Sequence, residues 1–125
     1  MYRMRYILLG GGAVRLAIGA GYLVVPSAMT GAQLAPNTDD SPDARLFVRG
    51  FGGHQVLTAA FTFAALRDRR LLAPALALNL LIDGFDVTSA LLEARARARV
   101  DRTLAGGIAL SGSAIAWALA VRALD

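Results

Sequence analysis

The chain has 125 residues, of which 56% are hydrophobic and 18% charged, with a mean hydropathy of +0.52. Soluble domains sit near 45–50% apolar and about 25% charged, so an ordinary soluble fold is excluded. The net charge of +4 comes from thirteen arginines and no lysine, and without cysteine there are no disulfides, thiolate metal sites or cysteine nucleophiles.

The pI near 10.6 raises nucleic acid as a partner. The arginines stand at the ends of apolar runs and inside them, not along one soluble face, so nucleic acid is rejected. Lysine avoidance with heavy use of Ala, Leu and Gly points to a GC-rich bacterial genome.

The first apolar run is Tyr6 to Pro26, behind Arg3 and Arg5. A signal peptide begins similarly, but a run this long with Arg15 at its middle reads as a membrane span. Residues 27–41 are polar and turn-rich, the longest connection, and are expected to fold over the bundle as a lid. Ser41-Pro42-Asp43 marks the next helix start, with a capping hydroxyl, a proline at the first helical position and an acid at the positive dipole end.

The spacing predicts helices over about 4–26, 42–67, 71–97 and 101–122. The expected fold is all-α, a four-transmembrane-helix bundle running up-down-up-down as a single transmembrane domain, 1–125. Four spans of about 20 residues fit the chain. The third helix carries a basic extension at the membrane surface, Arg95-Ala96-Arg97-Ala98-Arg99. With the N-terminus inside, Arg3, Arg5, Arg67, Arg69, Arg70 and Arg122 face the cytoplasm, and Arg45, Arg95, Arg97, Arg99 and Arg102 face out. This asymmetry favours both termini inside a bacterial inner membrane.

Four ionisable residues fall within the spans: Arg15, Arg49, Asp83 and Asp86. Each costs on the order of 3 kcal/mol at a helix centre, so four unpaired would cost about 12 kcal/mol. The set is formally neutral, and pairing inside the bundle is the economical solution. Asn79, Asp83 and Asp86 share a helix face at i, i+4, i+7. Arg15 shares one with Gly11, Gly12, Gly19 and Tyr22. The expectation is an interior polar shaft of Arg15, Arg49, Asp83 and Asp86, open toward the first and third loops.

His54, the sole histidine, lies about 140° around its helix from Arg49. It reads either as a proton carrier beside the carboxylates or as a histidine satisfied by Thr58 or a backbone carbonyl. Gln55 is expected to point elsewhere. Gly107, Ser111, Ala114 and Ala118 form a small-residue seam for helix packing; Trp117 reads as lipid-facing or interfacial, and Tyr2 and Tyr6 suit an aromatic belt. Gly10-Gly11-Gly12 lacks the strand-loop-helix context of a phosphate loop, and one histidine with offset carboxylates makes a poor metal ligand set. No cofactor is expected.

Ala13-Val14-Arg15-Leu16, the loop after Pro26, Arg49-Gly50-Phe51-Gly52-Gly53 and Leu81-Ile82-Asp83-Gly84-Phe85-Asp86 together carry a resemblance. The chain resembles an uncharacterised family of small four-helix integral membrane proteins of bacteria and fungi, loosely similar in architecture to the DoxX-like group. Where that family has Arg-Asp after the second-helix glycine, this chain has His54-Gln55. The resemblance implies the fold and no particular reaction.

Three functions remain open at this level. One is a membrane-embedded enzyme doing cofactor-free acid–base chemistry (isomerisation, cyclisation or epoxide opening) on an apolar metabolite. Asp83 and Asp86 would be acid and base, His54 a relay, Arg15 and Arg49 positioning groups, with Asn79 and Tyr22 at the substrate. The second is an accessory or lipid-binding subunit, with the basic stretch docking anionic lipid. The third is a proton-linked transporter, as a homodimer. Expected partners are membrane lipids and a hydrophobic small molecule.

Overall fold

A computed structural model describes the backbone of residues 2–33 and 41–124, and the side chains of 3–30 and 41–124. The chain runs through α1 (Tyr2–Val24), α2 (Pro26–Gln33), α3 (Pro42–Arg67), a 3-10 turn (Arg69–Leu71), α4 (Leu72–Arg97) and α5 (Arg102–Ala123). Among the described residues there is no strand.

Three of the four long helices begin or end on an identifiable device. Ser41 Oγ accepts from the Ala44 amide at 3.1 Å, with Pro42 at the first position of α3. Asp101 caps α5 in the same way, accepting from the Leu104 amide at 3.0 Å. The helix α4 stops where Ala98 takes a left-handed conformation, φ 53°, and its amide returns to the Ala94 and Arg95 carbonyls.

The connection after α1 is not all turn. Its first eight residues form α2, because Pro26 has the φ of a first helical turn and no amide to leave unpaired. Thr30 Oγ1 closes on the Pro26 carbonyl at 3.0 Å, and Met29 lies against Gly21 of α1. Residues 34–40 of the expected lid, and the Tyr2 side chain, lie outside the described residues.

The helices α1 and α3 pack along most of their length in opposite directions. Arg5 meets Leu66, Gly12 meets Phe63 and Gly19 meets Gly52. The last pair lets two backbones touch: a Cβ at Gly19 would stand 2.7 Å from the Gly52 carbonyl oxygen. The second extensive contact is α4 on α5. Trp117 of α5 crosses to α1, filling the space that Gly11 leaves and donating its indole N–H to the Ile7 carbonyl at 3.1 Å. It is half-buried in a helix contact, not lipid-facing or interfacial as the sequence suggests, because a missing Cβ on α1 gives its ring a seat.

Burial runs opposite to that of a soluble protein. Arg15, Gln55, Thr58, Thr62, Asn79, Asp83 and Ser111 are buried, while Phe47 is 78% exposed and Phe85 69%. Water would not tolerate such an outer surface, whereas lipid does. Three helical stretches are long and apolar enough to cross a membrane: Arg3–Val24, Arg69–Arg97 and Arg102–Ala123. The helix α3 does not reach that threshold.

The interior divides by depth. At the end holding the start of α1 and the end of α5, Met4, Leu8, Ala65, Leu72, Leu76, Ala118 and Val121 form an apolar core. Toward mid-helix the inward positions turn polar. Thr58 and Thr62 return their hydroxyls to the His54 and Thr58 carbonyls at 2.6 and 2.9 Å, so they are satisfied within α3.

Candidate functional site

The polar half of the interior is organised by Arg15, which α1 places inward on the same face as Leu8, Gly19 and Tyr22. Its Nη2 donates to Asp83 Oδ2 of α4, and its Nη1 donates to Gln55 Oε1 of α3 at 2.6 Å. Arg15 and Asp83 are 6% and 2% exposed. Three helices thus meet on one guanidinium. Alone, each charge would be prohibitive in the bundle; together they are neutral and hydrogen-bonded.

A cavity of about 300 Å³ opens beside this cluster, between α1 and α5. Arg15, Gln55, Asp83 and Ser111 form its polar end. Val14 and Ile18 of α1 and Leu110 and Trp117 of α5 form its apolar walls. Gly10, Val14 and Ser113 also line it and are exposed, so its mouth lies on the outer surface, halfway along both helices. The cavity therefore opens sideways, toward the place of a bilayer's core. This replaces the shaft open toward the loops: α1 and α5 do not close on each other at mid-height, and the small residues lining both helices there leave the gap unfilled.

Of the residues singled out from the sequence, Arg15 and Asp83 line the cavity, and five others do not. Arg49 is exposed, and its Nε donates to the Leu23 carbonyl at 3.2 Å. A cation at the carbonyl end of α1 is favourable, and that end lies within its reach. His54 is exposed as well. The inward stripe of α3 runs Gly52, Gln55, Thr58, Ala59, Thr62, Ala65, and His54 stands 100° from Gln55 on the helical wheel. Asp86 is half-buried and outside the cavity, with its Oδ2 unpartnered among the described residues.

Asn79 is fully buried one turn from Asp83. Its Nδ2 donates to the Ala75 carbonyl at 2.7 Å and to Thr62 Oγ1 at 3.3 Å, while Oδ1 lacks a partner among the described residues. It ties α4 to α3 beneath the site. Tyr22 is buried and packs edge-on to Phe51, ring centres 5.2 Å apart, also away from the cavity.

No family model, curated protein or solved structure matches the chain. The site's chemistry must therefore be read from its own groups.

Two members escaped the sequence reading. The sequence points Gln55 elsewhere, into a helix contact, whereas it is the second acceptor for Arg15. Ser111 was assigned to packing and instead faces the same cavity as Asp83. A signal exists for Gln55: the arc of α3 lacking large apolar residues is the inward arc, while the large ones, Leu46, Phe47, Leu57 and Phe61, stand exposed on the outer surface. Among the described residues no three His, Cys, Asp or Glu side chains gather to hold a metal ion.

A guanidinium has five N–H groups, and two are used by Asp83 and Gln55. Those remaining, with the Ser111 hydroxyl, can serve an oxygen acceptor in the cavity. An anion there would face Asp83 directly. The site suits a neutral oxygen function on an apolar body: a carbonyl, hydroxyl or ether.

Proposed function

We propose that the chain is a four-transmembrane-helix bundle, up-down-up-down with both termini cytoplasmic, which binds a neutral, apolar metabolite or lipid through its lateral cavity. The observation that carries this reading is a single neutral polar cluster, Arg15–Asp83–Gln55, at the inner end of an apolar cavity whose mouth lies mid-helix. A ligand dissolved in the bilayer would enter without crossing water. Its oxygen would replace nothing at the cluster, since Arg15 keeps donors to spare.

Inclusion of α3 among the spans rests on where its polarity lies. Gln55, Thr58 and Thr62 lower its hydropathy, yet all three are buried and never meet lipid. Twenty-six residues at 1.5 Å each give about 39 Å, ample for a span.

Trp117 is the only tryptophan and lines the cavity, so it reports occupancy directly. A brominated long-chain alcohol should quench its fluorescence saturably in detergent. Ser111→Leu, which fills the polar end, should abolish the saturable part. Linear quenching of equal slope in both proteins would mean simple partitioning and would defeat the proposal.

A second reading, an isomerase-, cyclase- or hydrolase-type enzyme, is favoured by one observation. Asp86, one turn beyond the paired Asp83, keeps a buried carboxylate oxygen without a partner. Buried unsatisfied groups of this kind recur where chemistry needs them. Asp83 and Asp86 would then divide base and acid roles. Turnover that survives undiminished in both Asp83→Asn and Asp86→Asn, in folded protein, eliminates this reading.

A further inference from the structure

The end of the molecule that holds the start of α1 and the end of α5 carries a second hollow. It measures about 210 Å³ and lies where the first turns of α1, the last turn of α3 and the 3-10 turn meet. Arg5, Arg67 and Arg69 form its rim, and Met4, Leu8 and Leu72, all buried, form its floor. Arg5 Nη2 reaches the Leu66 carbonyl at 3.4 Å, which draws this guanidinium across α3 to the rim. Arg3, Arg70 and Arg122 are exposed at the same end. The carboxylate of this turn, Asp68, is engaged by the Arg70 amide at 2.9 Å.

The opposite end is basic in sequence, but two acids there engage one of its arginines. Arg97 binds Glu93 at 2.5 Å and Asp101 at 3.2 Å. The basic stretch of residues 95–102 is therefore a weaker magnet for anions than its composition suggests. What distinguishes the hollow is an apolar floor beside its clustered guanidiniums, at the depth where candidate spans begin, Arg3 and Arg69.

We propose that this hollow binds one anionic phospholipid. The phosphodiester lies among Arg5, Arg67 and Arg69, and the glycerol and first acyl carbons lie on Met4, Leu8 and Leu72. Arginine suits this task because its planar fork matches phosphate oxygens. The floor supplies what a free phosphate could not use. A zwitterionic choline headgroup would bring its cation against three guanidiniums, so the site discriminates by net charge.

The test uses the purified full chain in neutral detergent, titrated with phosphatidylglycerol or phosphatidylcholine and read by native mass spectrometry. One phosphatidylglycerol should be retained at least about tenfold better than phosphatidylcholine. Arg67→Gln/Arg69→Gln should lose that preference, and so should Arg5→Gln in part. Arg95→Gln/Arg99→Gln should keep it, and millimolar inorganic phosphate should not displace the lipid. Equal retention of the two lipids, unchanged retention in Arg67→Gln/Arg69→Gln and Arg5→Gln, loss confined to Arg95→Gln/Arg99→Gln, or displacement by inorganic phosphate would each overturn the proposal. All these arginines are exposed, so their replacement leaves the interior packing intact.

Discussion

At the scale of single residues, the Arg15–Asp83 pair decides most. Removing one partner leaves the other charged and buried, at a cost of about 3–5 kcal/mol. Arg15→Leu and Asp83→Leu should each lower the melting temperature sharply in detergent. The double variant should be more stable than either single one, because no lone charge remains. Losses that simply add would show that the two charges do not interact. Gln55→Leu removes a hydrogen bond to a charged group and should cost less, about 1.5–3 kcal/mol. A different residue contributes to the response to acid. The Leu104 amide, and Arg97 beside it, hold the Asp101 carboxyl below its ordinary value. A carboxylate with a lowered folded-state pKa stabilises fully above its unfolded value, near ~4, and that contribution is lost as pH falls through the folded value. Asp101→Asn still caps α5 but does not titrate. Its melting temperature should therefore fall less between neutral pH and about pH 3 than that of the natural chain. Identical acid profiles would remove Asp101 from the account. The pairing of opposite charges in the spans was legible because four ionisable residues summed to zero. Which arginine pairs was not. Arg15 and Arg49 have the same chemistry, and only the rotation of α3, with the open carbonyl end of α1 nearby, sends Arg49 outward.

At the scale of elements, the closest contact is the backbone touch of α1 and α3 at Gly19 and Gly52. A side chain at Gly52 would press on the Gly19 carbonyl oxygen at 2.8 Å and on the start of Leu23. Backbone cannot swing aside as a side chain can. Gly52→Leu should force the helices apart and cost about 1–3 kcal/mol or more. Gly50 and Gly53 have nothing within 4 Å of a built Cβ, and Gly50→Leu or Gly53→Leu should leave the melting temperature near its original value. Leucine raises helix propensity at all three positions, so a uniform loss across them would mean that the Gly19–Gly52 contact does not explain the effect. The sequence displays Gly50, Gly52 and Gly53 as one cluster, and composition alone cannot rank them. Phase can: Gly52 is three residues before Gln55 and falls on the inward stripe. Helix starts were easier to read, since Ser41-Pro42-Asp43 announces α3 chemically. The short α2 is not legible in the sequence because Pro26 reads equally as the end of one apolar run and as the first residue of a new helix. The lateral cavity was missed for a related reason. Small residues on α5 signal close packing, but Gly107 has nothing within 4 Å of a built Cβ. The same small side chains that admit a neighbouring helix leave a gap where none arrives.

At the scale of the molecule, the open matter is how many helices cross. By hydropathy α1, α4 and α5 qualify, and α3 does not. Averaging along a helix counts inward and outward residues alike, so it penalises a helix whose polar groups are packed inside. On α3 the outward set includes Leu46, Phe47, Leu57 and Phe61, all exposed, and the polar set Gln55, Thr58 and Thr62 is buried. His54 is the outward exception, as are Arg45 and Arg49 near one end, where long side chains reach the interface. The packing also requires α3 beside α1 along nearly its full length, so if α1 spans, α3 is carried to the same depth. The absence of cysteine makes this directly testable by single-cysteine labelling with a membrane-impermeant maleimide. Ala28, Arg70 and Val100 are exposed and stand in α2, in the turn between α3 and α4, and in the connection between α4 and α5. With four spans, Ala28→Cys and Val100→Cys label from one face, and Arg70→Cys labels only from the other. With three, α3 rests on the surface, Ala28→Cys and Arg70→Cys share a face, and Val100→Cys is opposite. The expected result is the first, with Arg70→Cys protected in intact cells, because six arginines at that end favour the cytoplasm. Labelling of Arg70→Cys alone in intact cells would keep four spans and reverse the orientation. It would also move the phospholipid hollow to the outer leaflet while leaving the lateral cavity where it is, mid-bilayer.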